Sequence, residues 1–355
     1  MRMISGIAAL TLVPVAWTQA VPGYLSFAAG ERKLVELARQ NSSWIQLTAM
    51  GNSAGGKALH LLTIAVPGKI TPGARPAVFV GANIVGFHNA GTQAAVALIE
   101  KFVAGKDEAS VKKLLPGYRY GNSFELLYDS YGDTTDHSYG RHGAFSFVVE
   151  LNGTQQDFNG DKIISQEETM KFNDQLTQGR MFVDWKPYKH PQYGDIEIGG
   201  YKHDTGRPPE GFLNVEECHR NAMFVLLNAY HLPLLKVQAP DVIKLKDGLY
   251  RVHVPVLNER IVPTVAAIVQ QNRLHRQDIA TLTGGKVIAS GIVQDAYLNK
   301  VQLQQIRPER LLVNGGIGGF STQTLMFLVE ARPGTLNFTY DSIKAGEITR
   351  EIELP

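Results

Sequence analysis

The chain has 355 residues, enough for roughly two domains at about 150 residues per domain. Hydrophobic residues make up 44% and charged residues 19%, a composition that excludes an intrinsically disordered chain. The formal net charge of +2 gives no electrostatic reason to expect a nucleic-acid partner. Cys218 is the single cysteine, so an internal disulfide and a cysteine-based zinc cluster are excluded, and a zinc ion would have to be bound by His, Asp or Glu.

The first twenty residues form a separate segment. Arg2 precedes an apolar run from Ile4 to Trp17, and the segment ends in small residues typical of a cleavage site. The run is shorter than the roughly 20 apolar residues that a membrane span needs. We therefore predict a signal peptide over 1–20, a secreted or periplasmic protein, and no membrane span in the mature chain. The alternative is an ordinary buried helix or strand.

Residues 21–239 show both helical and strand patterns. Apolar spacing predicts helices over 31–40, 92–103, 166–176 and 215–229, and apolar runs predict strands over 58–66, 77–80, 145–151 and 195–198. A strand that leads into a helix is typical of an α/β layer. Cys218 lies on the apolar face of the last helix, so we interpret it as a core thiol.

The pattern changes after Pro233. Short strand-like runs cover 249–256, 265–270, 286–288, 325–330 and 348–354, and Gly, Pro and Asn turns separate them. This part of the sequence has no helical period. Strands at this spacing predict an all-β sandwich over 240–355, with a domain boundary near Ala239–Pro240.

The segment from Tyr128 to Leu151 carries the most chemical information. Glu150 lies near the end of its apolar run, 145–151. Ligands bind at the carboxyl ends of strands in open α/β sheets, and a carboxylate placed there suits general-base chemistry. The alternative is an exposed strand end with no catalytic role.

This segment resembles the strand that carries the general base of the zinc-dependent metallocarboxypeptidases of the carboxypeptidase A/B type. The resemblance is carried by the spacing of the Tyr, Gly, Asp, Ser-Phe and Glu-Leu residues within 128–151. It extends to Tyr24–Ser26, Gly51–Lys57 and residues 185–200, the last of which is similar to a bacterial branch of the family. Together these pieces span most of residues 22–235.

The resemblance implies a fold, a reaction and a set of residues. The implied fold over 21–239 is α/β, with a mixed sheet and flanking helices, and the implied reaction is zinc-dependent hydrolysis of a peptide or protein. In this family Glu150 would activate a metal-bound water, and Tyr128 would be the mobile phenol over the substrate.

The sequence departs from the family at the zinc ligands. The family motif is His-x-x-Glu, and in one register Val85 replaces the His while His88 replaces the Glu. In the other register His88 is the first zinc ligand and Gly91 replaces the Glu. The chain is also shortened near 115–124, where the family has a longer stretch with its third ligand. Because catalytic zinc normally needs three protein ligands, the sequence predicts that the hydrolytic centre is lost.

Two hypotheses about the site therefore remain open. In the first, the protein is a non-catalytic pseudoenzyme or shortened remnant that binds a peptide or a surface. In the second, it is an active metallocarboxypeptidase with a rewired zinc site, in which Glu150 is the general base and His88, His137 and His142 supply ligands.

A second metal pattern occupies 157–168. It places oxygen ligands at the loop positions that a calcium-binding EF-hand-like loop uses. The ligands would be Asp157, Asn159, Asp161, Ile163 through its carbonyl, Ser165 and Glu168. Lys162 stands where the loop normally has Gly, which costs roughly 1–2 kcal/mol if the residue is left-handed. We predict a structural calcium site, with an acidic turn as the local alternative. A calcium-stabilised structural protein is the third reading of the whole chain.

Overall fold

The computed structural model describes residues 25–65, 67–68, 71–72, 77–82, 90–104, 128–129, 131–151, 157–161, 163–202 and 211–355. The described residues divide into two compact units, each built from separate stretches of chain. The first unit takes its described residues from 1–67, 80–120 and 149–226. The second takes them from 68–79, 121–148 and 227–355.

Six helices lie in the described part of the chain. They are α1 (Phe27–Gln40), α2 (Ala90–Ala104), α3 (Thr134–His142), α4 (Gln166–Leu176), α5 (Asn214–Tyr230) and α6 (Ala267–Asn272). None of these described helices is long and apolar enough to cross a membrane.

Fourteen strands lie in the same described residues. The first four are β1 (Ile45–Asn52), β2 (Ala58–Ile64), β3 (Phe182–His190) and β4 (Gly194–Tyr201). The others are β5 (Leu235–Val237), β6 (Asp241–Lys246), β7 (Leu249–Asn258), β8 (Asp278–Thr283), β9 (Lys286–Asp295), β10 (Lys300–Gln304), β11 (Arg310–Val313), β12 (Thr322–Glu330), β13 (Gly334–Ser342) and β14 (Gly346–Leu354).

The first unit contains two antiparallel hairpins, β1–β2 and β3–β4. Helices α1 and α2 share a small hydrophobic core with the first hairpin. The buried residues of this core are Leu37, Ile45 and Ile99. The Ser26 hydroxyl caps α1 by accepting a hydrogen bond from the Ala29 N–H at 3.2 Å. The predicted helices at 31–40 and 92–103 and the predicted strand at 58–66 are confirmed, with bounds that differ by a few residues.

Helix α5 confirms both the predicted helix at 215–229 and the interpretation of Cys218. The Cys218 side chain is buried and donates a hydrogen bond to Asn214 Oδ1 at 3.2 Å. Burial, with a smaller contribution from the negative charge of the nearby Glu217, raises the pKa of this thiol to about 12. Cys218 therefore packs as a small apolar group and is protonated at neutral pH.

The second unit is dominated by two antiparallel sheets. The six-stranded sheet has the order β10-β9-β12-β7-β5, and β6 pairs with the same edge of β7 as β5 does. The four-stranded sheet has the order β11-β8-β13-β14. The hairpin formed by β13 and β14 has a register that is continuous from Gly334–Leu354 to Ser342–Gly346.

One hydrophobic core is shared by both sheets. Every second side chain of β7 is completely buried, as expected for a strand with one face toward a core. Phe327 of β12 and Phe338 of β13 contact each other edge to face, with ring centroids 6.1 Å apart. Since these rings come from different sheets, the contact joins the two layers of the core.

The predicted strand at 265–270 is wrong, because the structure places helix α6 over Ala267–Asn272. Val265, Ala266 and Val269 are buried in a small cluster of their own. A helix of this length completes fewer than two turns, so its apolar residues look like a continuous strand-like run.

Residues 77–80 and 145–151 also lie outside the described strands, although both runs are apolar. A strand needs a hydrogen-bonded neighbour, and none of the described strands pairs with either run. The strand expected at 195–198 is confirmed as part of β4.

The contact between the two sheets predicts the effect of a core substitution. Phe327→Ala should lower the free energy of unfolding by about 3–5 kcal/mol, because it removes a fully buried ring and leaves a cavity. Leu303→Ala on β10 is the control, since Leu303 is exposed and its loss should cost under about 0.5 kcal/mol. Urea unfolding of both variants measures the difference, and equal losses would contradict a shared core.

Candidate functional site

The segment 131–148 contains a helix, α3, that is capped at both ends. Asp133 accepts a hydrogen bond from the Asp136 N–H at 2.8 Å, and the Asp136 carboxylate accepts one from the Gly132 N–H at 2.9 Å. At the other end the Gly143 N–H donates to the Tyr139 carbonyl. Gly143 has a left-handed φ of 62°, so the helix stops there.

Gly143 is also one of the points at which this segment contacts the rest of the second unit. A Cβ atom added to Gly143 would lie 2.1 Å from Val269 Cγ2 of α6 and 3.8 Å from His275 Nε2. Only a residue without a side chain fits in this space. The Gly143 position therefore serves two purposes, the helix stop and the close approach to α6.

A second contact follows two residues later. The Lys344 ammonium, in the turn between β13 and β14, lies 4.7 Å from the centroid of the Phe145 ring. Burial lowers the pKa of Lys344, while the negative charge of Asp278 raises it. We call Val269, His275 and Lys344 the docking surface of the segment 131–148.

A buried polar group lies close to Lys344 in the second unit. The Tyr340 hydroxyl donates a hydrogen bond to Asp278 Oδ2 at 2.9 Å, and both side chains are buried. Burial raises the pKa of Asp278, although hydrogen bonds from Thr264, Tyr340 and Ser342 counteract it. Burial, with the adjacent Asp278 charge, also raises the pKa of Tyr340. The interior beneath the β13–β14 turn is therefore polar, although Asp278 and Tyr340 are shielded from solvent.

The two residues expected to carry chemistry are both accessible. The Tyr128 side chain is 71% exposed, and Glu150 is also exposed. They belong to different compact units, Tyr128 to the second and Glu150 to the first. Their assigned roles stay predictions, as does the exposed-end alternative for Glu150.

The histidines of the rewired zinc hypothesis are only partly described. His88 lies outside the described residues, as do Val85 and the shortened stretch near 115–124. His137 and His142 are on α3, with ring centroids 5.3 Å apart in an edge-to-face contact. Within the described part of the chain, no three or more His, Cys, Asp or Glu side chains form a group that could hold a metal ion.

The predicted calcium loop is held together by its own hydrogen bonds. Asp157 Oδ1 accepts from the Gly160 N–H, Asn159 Oδ1 from the Asp161 N–H, and Asp161 Oδ1 from the Ile163 N–H, all at 2.7–2.8 Å. These are the local side-chain to backbone bonds that Asp and Asn form in turns. The loop leads directly into α4, so the predicted helix at 166–176 is confirmed.

Glu168 closes this loop and caps α4. Its Oε1 atom accepts hydrogen bonds from the Phe158 and Asn159 N–H groups, and its Oε2 atom accepts one from the Ser165 N–H at 3.0 Å. These bonds, that of Ser165 above all, lower the pKa of the Glu168 carboxyl against the opposing effect of burial. A calcium-type loop would use the same two oxygens as a bidentate ligand, so the calcium site stays a prediction.

Sequence reasoning missed the docking surface of the segment 131–148. Gly143, Val269 and Lys344 are far apart in the sequence, and no residue pattern joins them. The one available signal was the glycine itself, because Gly after the last turn of a helix indicates a helix stop.

Comparisons with known proteins divide the chain into two matched parts. A family model described as zinc carboxypeptidase matches residues 31–120. A second model, described as a domain of unknown function, matches residues 234–353. No curated protein matches the chain.

One solved structure that matches is DesR, a β-glucosidase from Streptomyces venezuelae in complex with D-glucose. It is 10% identical, with a TM-score of 0.17, and the match covers 35% of this chain. The matched region is 15% of the length of that β-glucosidase chain.

The bonds to Glu168 predict a pH-dependent stability. Its lowered pKa means that the bonds stabilise the fold fully above the ordinary carboxyl pKa of 4.5, and that this contribution is lost as pH falls through the lower, folded value. Glu168→Gln should therefore lower the melting temperature at pH 7, with a gap to wild type that narrows toward pH 3. Glu167→Gln, an exposed neighbour in the same helical turn, controls for the lost charge. A Glu168→Gln gap that stays constant with pH would contradict this account.

Proposed function

We propose that the chain is an exported, carboxypeptidase-like protein that binds peptides and does not hydrolyse them. The single observation that carries this proposal is the zinc carboxypeptidase match over residues 31–120. That matched region includes most of α1, the β1–β2 hairpin and α2, which pack around one small core. It also spans residues 83–91, where the sequence resemblance places the family's first two zinc ligands.

The residues at those positions do not fit a catalytic zinc ion. Either Val85 or Gly91 occupies one ligand position, depending on the register, and neither side chain can donate to a metal. A carboxypeptidase needs three protein ligands and an open position for water. We therefore derive no hydrolytic step for this chain and assign it a binding role.

Two exposed side chains suit peptide binding without a metal. The phenol of Tyr128 can donate a hydrogen bond to a peptide carbonyl and accept one from a peptide N–H. The carboxylate of Glu150 accepts hydrogen bonds from peptide N–H groups or from a cationic side chain. Both are the residues that the family resemblance assigns to substrate contact and base chemistry.

The C-terminal region is proposed to be a β-sandwich domain that accompanies this binding region. The shared core between the six-stranded and four-stranded sheets supports that description. The boundary proposed near 239–240 falls just after β5, which pairs with β7 of the six-stranded sheet. The start of the sheet at Leu235 therefore suggests that the domain begins a few residues before the boundary that the sequence predicts.

The peptidase alternative makes a different prediction from the same residues. If His88 and other ligands rebuild a zinc site, hydrolysis should require zinc and should be lost in Glu150→Gln. The calcium-stabilised structural alternative predicts instead that calcium raises the melting temperature and that Asp157→Asn with Asp161→Asn removes the rise.

Peptide binding and peptide hydrolysis, measured side by side, test the proposal. Short fluorescent peptides with free carboxyl ends should bind the wild-type protein without zinc-dependent cleavage above background. Tyr128→Phe should weaken binding about two- to tenfold, because it removes one hydrogen-bonding hydroxyl. Tyr297→Phe, a 96% exposed tyrosine in the C-terminal region, is the matched control and should bind as wild type does.

Two outcomes would overturn the proposal. Zinc-dependent cleavage by wild type that disappears in Glu150→Gln would establish the peptidase alternative. Failure of every peptide to bind would remove the peptide-binding role.

A further inference from the structure

The segment 131–148 is part of the second unit, although it lies in the region of the sequence that resembles a carboxypeptidase. Gly143 is the buried residue of α3 and its caps, whereas none of the nine residues of α3 itself is buried. The helix therefore has exposed and half-buried residues only, and its buried contact lies at its carboxyl end. Its attachment depends on the contacts made by Gly143 and the residues that follow it.

The contact at Gly143 is tight enough to be specific. Val269 is completely buried in the cluster around α6, so its side chain has little freedom to move away. His275 adds to the same wall. Its Nδ1 atom donates to the Arg276 carbonyl at 2.8 Å, and its buried Nε2 atom has no hydrogen-bond partner among the described residues. A side chain at position 143 would therefore either displace Val269 and His275 or force the segment 131–148 away from them.

The contact at Phe145 adds a second anchor of different chemistry. The Lys344 Nζ atom is buried and has no hydrogen-bond partner in the described part of the chain. This ammonium lies over the face of the Phe145 ring, 4.7 Å from the ring centroid. A buried ammonium without hydrogen bonds is costly, and an aromatic face offsets part of that cost. Undocking the segment would remove this compensation.

We infer that the C-terminal β region is a platform that holds the segment 131–148 in place, and that Gly143 and Val269 are positioning residues for it. The segment follows Tyr128 directly in the chain, so its docking also limits where Tyr128 can lie. The link to peptide binding rests on the proposed function. The docking itself does not, because it involves only contacts within the second unit.

Four variants of the full chain separate the steric clash between a side chain at position 143 and Val269 from other effects of substitution. Gly143→Ala introduces both the clash with Val269 and the strain of a left-handed alanine. Gly132→Ala introduces the strain alone, since its φ is 75° and no atom lies within 4 Å of the new Cβ. Gly143→Ala combined with Val269→Ala keeps the strain and removes the clash, because the nearest Val269 atom left is its Cβ at 3.6 Å. Val269→Ala alone completes the cycle.

Hydrogen exchange of the backbone amides in 131–148, followed by mass spectrometry, measures docking. The amides of 131–148 should exchange about tenfold faster in Gly143→Ala than in Gly132→Ala, because the clash destabilises the docked state of the segment. The double variant should return to within about threefold of Gly132→Ala. Amides of β7 and β12 should stay protected in all four, which shows that the platform remains folded. Unchanged exchange in Gly143→Ala, or no rescue by Val269→Ala, would overturn the inference.

Peptide binding by the same variants tests the consequence for Tyr128. Weaker binding by Gly143→Ala, restored in the double variant, would support the positioning role. Full binding by a Gly143→Ala variant whose segment exchanges rapidly would overturn that role. If wild type binds no peptide, the proposed function fails, and the exchange experiment still decides whether the segment docks.

Discussion

The core between the two antiparallel sheets is the constraint on which the second unit depends. Strand β7 contributes a completely buried side chain at every second position, and it pairs with β5, β6 and β12. A register slip of one residue would turn this face to solvent, so the alternation fixes the arrangement of the six-stranded sheet. The rings of Phe327 and Phe338 then join that sheet to the other.

The turn that supplies Lys344 to the docking surface packs against the same core, whereas Val269 lies in the separate cluster around α6. The turn that carries Lys344 is set by the continuous β13–β14 register, and the buried Tyr340 and Asp278 hold β13 to β8 from inside. A close approach such as that of Gly143 to Val269 requires partners that do not yield. A rigid platform and a glycine with no side chain therefore act together.

The proposed loss of hydrolytic activity rests on the residues at the zinc-ligand positions of the N-terminal region. A family model for zinc carboxypeptidases matches residues 31–120, yet a valine or a glycine falls at a ligand position in either register. Metal-assisted hydrolysis needs a complete ligand set, whereas binding of an extended peptide needs only hydrogen-bonding groups and surface. The proposed binding role is compatible with the match over residues 31–120 and requires no hydrolytic reaction.

The sequence predicted those elements whose signals are local. Helix α4 was predicted over 166–176, and α5 and β4 follow from their apolar spacing. Helix α6 was mistaken for a strand because it is too short to show a helical period. The run 145–151 was predicted as a strand because apolar composition does not reveal whether a neighbouring strand is available. The Gly143 contact could not be predicted, since it joins residues that are distant in sequence.

The most direct test of the central claim is the amount of zinc bound per chain. The protein is purified without chelator, dialysed against metal-free buffer, and analysed for zinc and calcium by elemental analysis. The account predicts zinc far below one ion per chain, because residues 83–91 do not supply the family's ligand pair. About one zinc ion per chain would contradict it and would show that other residues have rebuilt the catalytic site.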